Sequence, residues 1–304
     1  MWTFRRAAVP LALAAVVGLA PAPAAAQAPN RAILRGKLLT QLTHISDAFN
    51  GVFGIEIIDL TDSSHIGVNQ DLVFPQGSAI KVPILIELYR QADAHPALLT
   101  QQRRITADTR TGGSGVLQYF SDGGSELSNA DLAVLMITLS DNGATNLLIH
   151  TVGMDSVNHT LRTMGFTQTK LQRYMIRPEA SARGQENIST PAEAASIMAR
   201  LAHCALPLSA AACHRVTQLL ELPKDEPVRS VIPARIPVAS KPGGITGVAT
   251  SWALVELPGR PFVIATMTSY GGTDGDDAIR AAAKAAYAYF IRLAGVTPYG
   301  TRVR

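Results

Sequence analysis

Three short stretches of the chain carry side chains that could act together on a carbonyl group. In FPQGSAIKVPILIELYR (74–90), Ser78 precedes Lys81 by three residues, about one helical turn, at the start of an apolar run. A serine hydroxyl is a poor nucleophile until a base takes its proton, and an amine one turn away is such a base once its pKa is lowered. The second stretch is Ser140-Asp141-Asn142, at a break between two apolar helical runs. Its hydroxyl could relay a proton to a leaving nitrogen, and the Asn142 amide could hold a substrate amide and Lys81. The third is Lys241-Pro242-Gly243-Gly244, at a strand end. Lys241 would add positive charge beside Ser140. The glycines would let substrate approach the backbone, where one N–H, with that of Ser78, would form an oxyanion hole.

The elements that must position these groups follow from hydrophobic period. Leu38, Leu42, Ile45 and Phe49 make one apolar stripe, so 32–49 is expected to be a helix. VFGIEIIDL (52–60), a polar turn and 65–68 read as a β-hairpin. Helices are expected from Ser78 onward and over 128–139, 142–152, 154–164, 191–203 and 213–220. Residues 101–127 and 170–189 read as loops. Strands follow at 238–241, 251–257 and 262–269, then an Ala-rich helix at 276–294. With β-rich segments at both ends and helices between, the expected fold class is α/β in the form of an α+β sandwich. One antiparallel sheet, built from 31–70 and 223–304 and flanked by the terminal helices, would carry an all-helical insert over 71–222.

The N-terminus has its own logic. Arg5 and Arg6 precede a small apolar run, 7–20, too short to span a bilayer comfortably, and Ala24-Ala25-Ala26 offers a cleavage site. Residues 1–26 are therefore expected to be a signal peptide cleaved near Ala26, leaving 27–304 as a single secreted or periplasmic catalytic domain without stable membrane insertion. The net charge of +4 includes both leader arginines, so the mature chain is near neutral and has no basic block that would suggest nucleic acid. Apolar residues make up 47% of the sequence, enough for one or two packed cores. A monomer is expected.

Taken in order, the three boxes make the chain resemble a class A, penicillin-binding serine β-lactamase: S-x-x-K, S-D-N, then a K-T-G-like box. The resemblance extends over nearly the whole mature chain. It includes LSDNGATNLL, whose Asn146 in that family supports the loop under the active site, and the strand pair KPGGITGVATSWALVEL and PFVIATMTSY. It implies a catalytic set of Ser78, Lys81 and Ser140, substrate binding by Asn142, Lys241, Gly243 and Gly244, and a small-molecule β-lactam or related amide or ester as substrate. No cofactor or metal is implied.

Departures from the family accompany the matches. Pro242 stands where the family has Thr or Ser, removing a hydroxyl that holds the substrate carboxylate, and Gly247-Val248-Ala249 lacks an arginine that many members place nearby. The family's deacylating glutamate has a local counterpart in Arg177-Pro178-Glu179, so Glu179 is the candidate. Glu186 is a rival, and Glu179 as an ordinary surface carboxylate is the plain alternative; in that case acylation would outrun release, as in a penicillin-binding or sensor protein. A D,D-peptidase or esterase of the same superfamily is the other alternative. Cys204 and Cys213 each adjoin a histidine; a disulfide ranks ahead of two thiols, and both ahead of a metal site, because the spacing is not a zinc pattern and export favours oxidation. The seven histidines form no H-x-H-x-D cluster, and there is no G-x-S-x-G elbow.

Overall fold

The structure is a computed structural model, which describes residues 29–297 and 299–303. The expected signal peptide, 1–26, lies outside the described residues. Five antiparallel strands form the main sheet, in the order β2-β1-β9-β8-β7. These are β1 (Val52–Asp59), β2 (His65–Val68), β7 (Val238–Ile245), β8 (Val248–Val255) and β9 (Phe262–Ser269). β1 and β9, from opposite ends of the chain, lie side by side from Val52 opposite Ser269 to Asp59 opposite Phe262. The sheet is thus a long-range closure of the two chain ends, and the helical segment between them rests on one of its faces.

Both faces of the sheet are covered, and this explains the near-continuous apolar runs of its strands. Along β8, Ala249, Ala253 and Val255 join a core formed with α1 (Pro29–Ala48), α10 (Pro227–Val231) and α11 (Gly275–Leu293), whereas Trp252 and Leu254 join the core of the helical part. The stripe expected on the first helix is real: Leu38, Leu42 and Phe49 are buried against the sheet, with Phe290 of α11 stacked on Phe262 at a centroid separation of 4.1 Å.

The helical part is centred on α2 (Lys81–Ala94), ten of whose residues are buried. Around it lie α3 (Ala97–Thr100), α4 (Asn129–Thr138), α5 (Asn142–Val152), α6 (Met154–Thr163), α8 (Pro191–Ala202) and α9 (Ala210–Glu221). Pro83 falls in the first turn of α2, where the missing N–H would have had no helical partner in any case. Ser128 and Asp131 close a capping box on α4, and Asp141, Thr190 and Ser209 cap α5, α8 and α9.

The two expected loops contain short elements that period alone does not mark. β4 (Gln102–Ile105) pairs with β5 (Ser125–Ser128). β3 (Phe74–Pro75) pairs with β6 (Ile188–Ser189), which ties the second loop to the chain entering Ser78, and α7 (Pro178–Ala182) forms one turn within that loop. Strand β7 also runs on to Ile245, through Pro242. Proline is tolerated there because β7 is an edge strand paired on one side only, with Pro242 opposite Ser251. The two cysteines are joined as a Cys204–Cys213 disulfide that links the end of α8 to α9. No helix among the described residues is long and apolar enough to cross a membrane.

Candidate active site

Ser78 stands in a 3-10 turn, Gly77–Ile80, that runs directly into α2. Gln76 holds this entrance although nothing in the sequence marks it. The residue is fully buried; its main-chain carbonyl accepts from Thr250 Oγ1 (2.9 Å), and its side-chain oxygen accepts from Trp252 Nε1 (2.9 Å). Both partners lie on β8, so the start of the helix that follows Ser78 is bolted to the sheet. Closeness is extreme at two glycines. A Cβ on Gly77, which has φ +49°, would lie 2.8 Å from Gly244 N, and a Cβ on Gly243 would lie 2.2 Å from the carbonyl oxygen of Gln76. The third box therefore needs glycine so that β7 can lie against the Ser78 turn.

The Lys81 amine is buried and donates to three acceptors: the Ser140 carbonyl (2.6 Å), Ser140 Oγ (3.0 Å) and Asn142 Oδ1 (3.1 Å). Lys241 reaches the same hydroxyl from the other side, with Nζ 3.1 Å from Ser140 Oγ and 3.0 Å from the Pro242 carbonyl. Two buried amines thus converge on one serine. Burial, and then the neighbouring Lys241, push the Lys81 pKa well below its ordinary value, while Asp141 opposes the shift. Burial, and then Lys224, lower Lys241 to about 7, while Glu226 opposes that shift.

Ser140 adopts φ +53°, an uncommon conformation for a non-glycine residue, which turns the chain sharply between α4 and α5. The turn is held by Asp141, whose carboxylate accepts from the N–H groups of Val116 (2.6 Å), Leu117 (2.9 Å) and Ala144 (2.9 Å). Asp141 is therefore fully engaged in structure. Asn142 donates from Nδ2 to the Gly112 carbonyl (3.0 Å), which fixes its oxygen toward Lys81.

A cleft of 580 Å³ opens over this arrangement, lined by Ser78, Asn142 and Gly244 among others. Its wall from residues 170–189 does not place the candidate carboxylate there. Glu179 is solvent-exposed in the first turn of α7 and is not part of the lining. Glu186 does line the cleft, but Arg173 binds its carboxylate through Nε (3.1 Å) and Nη2 (2.7 Å). The residue facing the cleft from under this loop is Met175, only 5% exposed. Asn146 clamps it, accepting from Met175 N (2.7 Å) and donating to Met175 O (3.2 Å). Sequence reasoning placed Asn146 under the loop but missed Met175, since a lone methionine in an irregular stretch carries no signal.

Among the described residues, no group of three or more His, Cys, Asp or Glu side chains is arranged to hold a metal ion. The serine, the two amines, the hydroxyl between them and the glycine-lined strand edge compose a site suited to acyl transfer.

The chain is similar to known proteins in both sequence and fold. Residues 37–290 match the model of the β-lactamase enzyme family. β-Lactamase L2 of Stenotrophomonas maltophilia is 29% identical over 201 residues, a match that covers 65% of either chain. β-Lactamase SME-1 of Serratia marcescens is 22% identical, covering 77% of this chain and 81% of its own. In structure, a β-lactamase from Sphaerobacter thermophilus superposes with a TM-score of 0.76 at 30% identity, covering 84% of this chain and 98% of that one. PBP-A shares the fold, with a TM-score of 0.77 at 24% identity, covering 84% and 96%. The chain belongs to the β-lactamase enzyme family, as a divergent member of the class A type.

Proposed function

We propose that the protein is a serine hydrolase that opens β-lactam rings through a covalent acyl-enzyme on Ser78. The convergence of the Lys81 and Lys241 amines on Ser140 Oγ, next to a cleft that Ser78 and Asn142 line, is the observation that carries this reading. Ser78 Oγ attacks the lactam carbonyl carbon and gives its proton to Lys81, whose lowered pKa keeps the neutral amine available. The N–H groups of Ser78 and Gly244 receive the developing oxyanion. The lactam C–N bond then breaks. Ser140 passes its hydroxyl proton to the ring nitrogen and recovers one from Lys81. Asn142 orients Lys81 and the substrate amide, Gly243 lets the strand approach, and Lys241 supplies positive charge for the substrate's carboxylate.

Release is the slower half. Water must attack the acyl-enzyme with a base to take its proton, and the residue that lines the cleft beneath this loop is Met175, which carries no carboxylate. Glu179 lies outside the cleft, and Glu186 is bound by Arg173. These placements favour a persistent acyl-enzyme, as in a penicillin-binding protein, over rapid turnover. A D,D-peptidase or esterase would use the same acylation groups; Pro242, by removing a hydroxyl, motivates that second substrate class. We read residues 1–26 as an export signal and 27–304 as one monomeric catalytic unit acting on small molecules outside the cytoplasm.

The test is incubation of the mature protein with a labelled penicillin, a chromogenic cephalosporin and a D-Ala-D-Ala peptide, with intact mass followed over time. A covalent adduct that maps to Ser78 and is lost in Ser78→Ala supports the scheme. A peptide hydrolysed without any lactam adduct moves the substrate to the second class. Activity that survives Ser78→Ala refutes the assignment of the nucleophile.

A further inference from the structure

The wall of the cleft formed by residues 175–178 has a charge pattern that acylation of Ser78 does not need. Three charged side chains line the cleft: Arg173, Arg177 and Glu186. Arg173 and Glu186 neutralise one another at 2.7 Å. Arg177 lines the cleft, is exposed and makes no ion pair among the described residues, so it brings an uncompensated positive charge to this wall. Directly before it, Ile176 adopts φ +53°, a costly conformation for a β-branched residue, and remains 51% exposed while lining the cleft. The backbone reversal thus brings an apolar side chain and a free cation to the same wall, next to the buried Met175.

The direction of the substrate follows from the chemistry of the opposite side. The leaving nitrogen must lie by Ser140, and the carboxylate attached beyond it by Lys241. The acyl half, which stays on Ser78, then extends away from Lys241 toward the 175–178 wall. We infer that Arg177 is a specificity-determining residue that binds a carboxylate on the acyl half of the substrate. Preferred substrates carry an anionic side chain on the carbonyl side of the scissile bond, with its apolar part against Met175 and Ile176. The guanidinium suits this role because its planar fork pairs with a carboxylate through two hydrogen bonds.

This inference rests on the Ser78 acylation reading, and the experiment separates the two. Second-order rates of adduct formation are measured by intact mass for benzylpenicillin and for its α-carboxy analogue, which differ only by that carboxylate on the side chain. The quantity read is the ratio of the two rates. The unaltered protein is expected to favour the α-carboxy compound. Arg177→Ala is expected to lower the ratio roughly five- to tenfold, the range of a charge-assisted contact at a partly solvated site. Arg177→Lys recovers part of it, and raising the salt concentration shrinks it. Arg177 is exposed, so these variants should fold. Adducts that form with a ratio unchanged in Arg177→Ala overturn the role of Arg177 while leaving Ser78 in place. No adduct with either penicillin overturns the β-lactam acylation reading and this inference with it.

Discussion

Replacing Met175 with glutamate should turn a slowly released acyl-enzyme into one that turns over. The Met175 backbone is clamped on both its N–H and its carbonyl by Asn146, at 2.7 and 3.2 Å, so the substituted side chain must leave from the same point in the same direction. Glutamate has nearly the reach of methionine, and Met175 already faces the cleft that Ser78 lines. A carboxylate there can take a proton from water attacking the ester. A positioned general base contributes about 10²–10⁴ in rate, and the adduct lifetime should shorten by a factor in that range. The cost is partial burial of a charge at a site only 5% exposed. An unpaired neutral polar group would cost about 1–3 kcal/mol there and an ionised carboxylate more, out of a typical stability of about 5–15 kcal/mol. The assay loads the protein with benzylpenicillin, removes the excess and follows loss of the adduct by intact mass. Met175→Gln is the control, with the same reach and no base. The reasoning is refuted if Met175→Glu acylates normally yet keeps its adduct as long as the unaltered protein does. It is equally refuted if Met175→Gln accelerates release as much as Met175→Glu.

Four further outcomes are expected. Lys241, lowered to about 7 in the folded state against 10.5 in a free lysine, makes the unfolded chain bind more protons than the folded one between those values, so thermal stability should rise with pH in that window; Lys81 adds in the same direction, and Lys241→Met should flatten the slope. Acylation should fall as acid protonates Lys81, whose burial lowers its pKa, and a rate that does not fall on acidification would count against its role as base. Gly243→Ala, whose Cβ would meet the Gln76 carbonyl at 2.2 Å, should push β7 from the Ser78 turn and lower acylation about 10²-fold or more, the cost of losing one oxyanion donor; near-normal adduct formation would show that the close approach is dispensable. The double change Cys204→Ser with Cys213→Ser opens a covalent loop nine residues apart in sequence, and denaturant unfolding should report a loss of roughly 2–3 kcal/mol.

The sequence alone determined those features whose physics is local. Helical spacing put Lys81 one turn from Ser78, and the apolar stripe through Leu38 and Leu42 marked the face that packs on the sheet. Alternating and continuous apolar runs located β1, β8 and β9, and their distribution at the two chain ends implied the single antiparallel sheet that the structure has. Three motifs in order named the groups that meet at Ser140. Only tertiary structure decided what surrounds them. A one-dimensional reading offers Glu179 as the candidate carboxylate and Glu186 as its rival. Which one reaches the cleft depends on an ion pair with Arg173 and on the path of a loop held by Asn146, 29 residues from Met175 in sequence. Gln76 gains its role through partners on β8 more than 170 residues away, and Pro242 is admissible because the fold makes β7 an edge. Such contacts close long loops, and their partners are chosen by packing and by the need to satisfy buried polar groups, neither of which leaves a periodic mark along the chain.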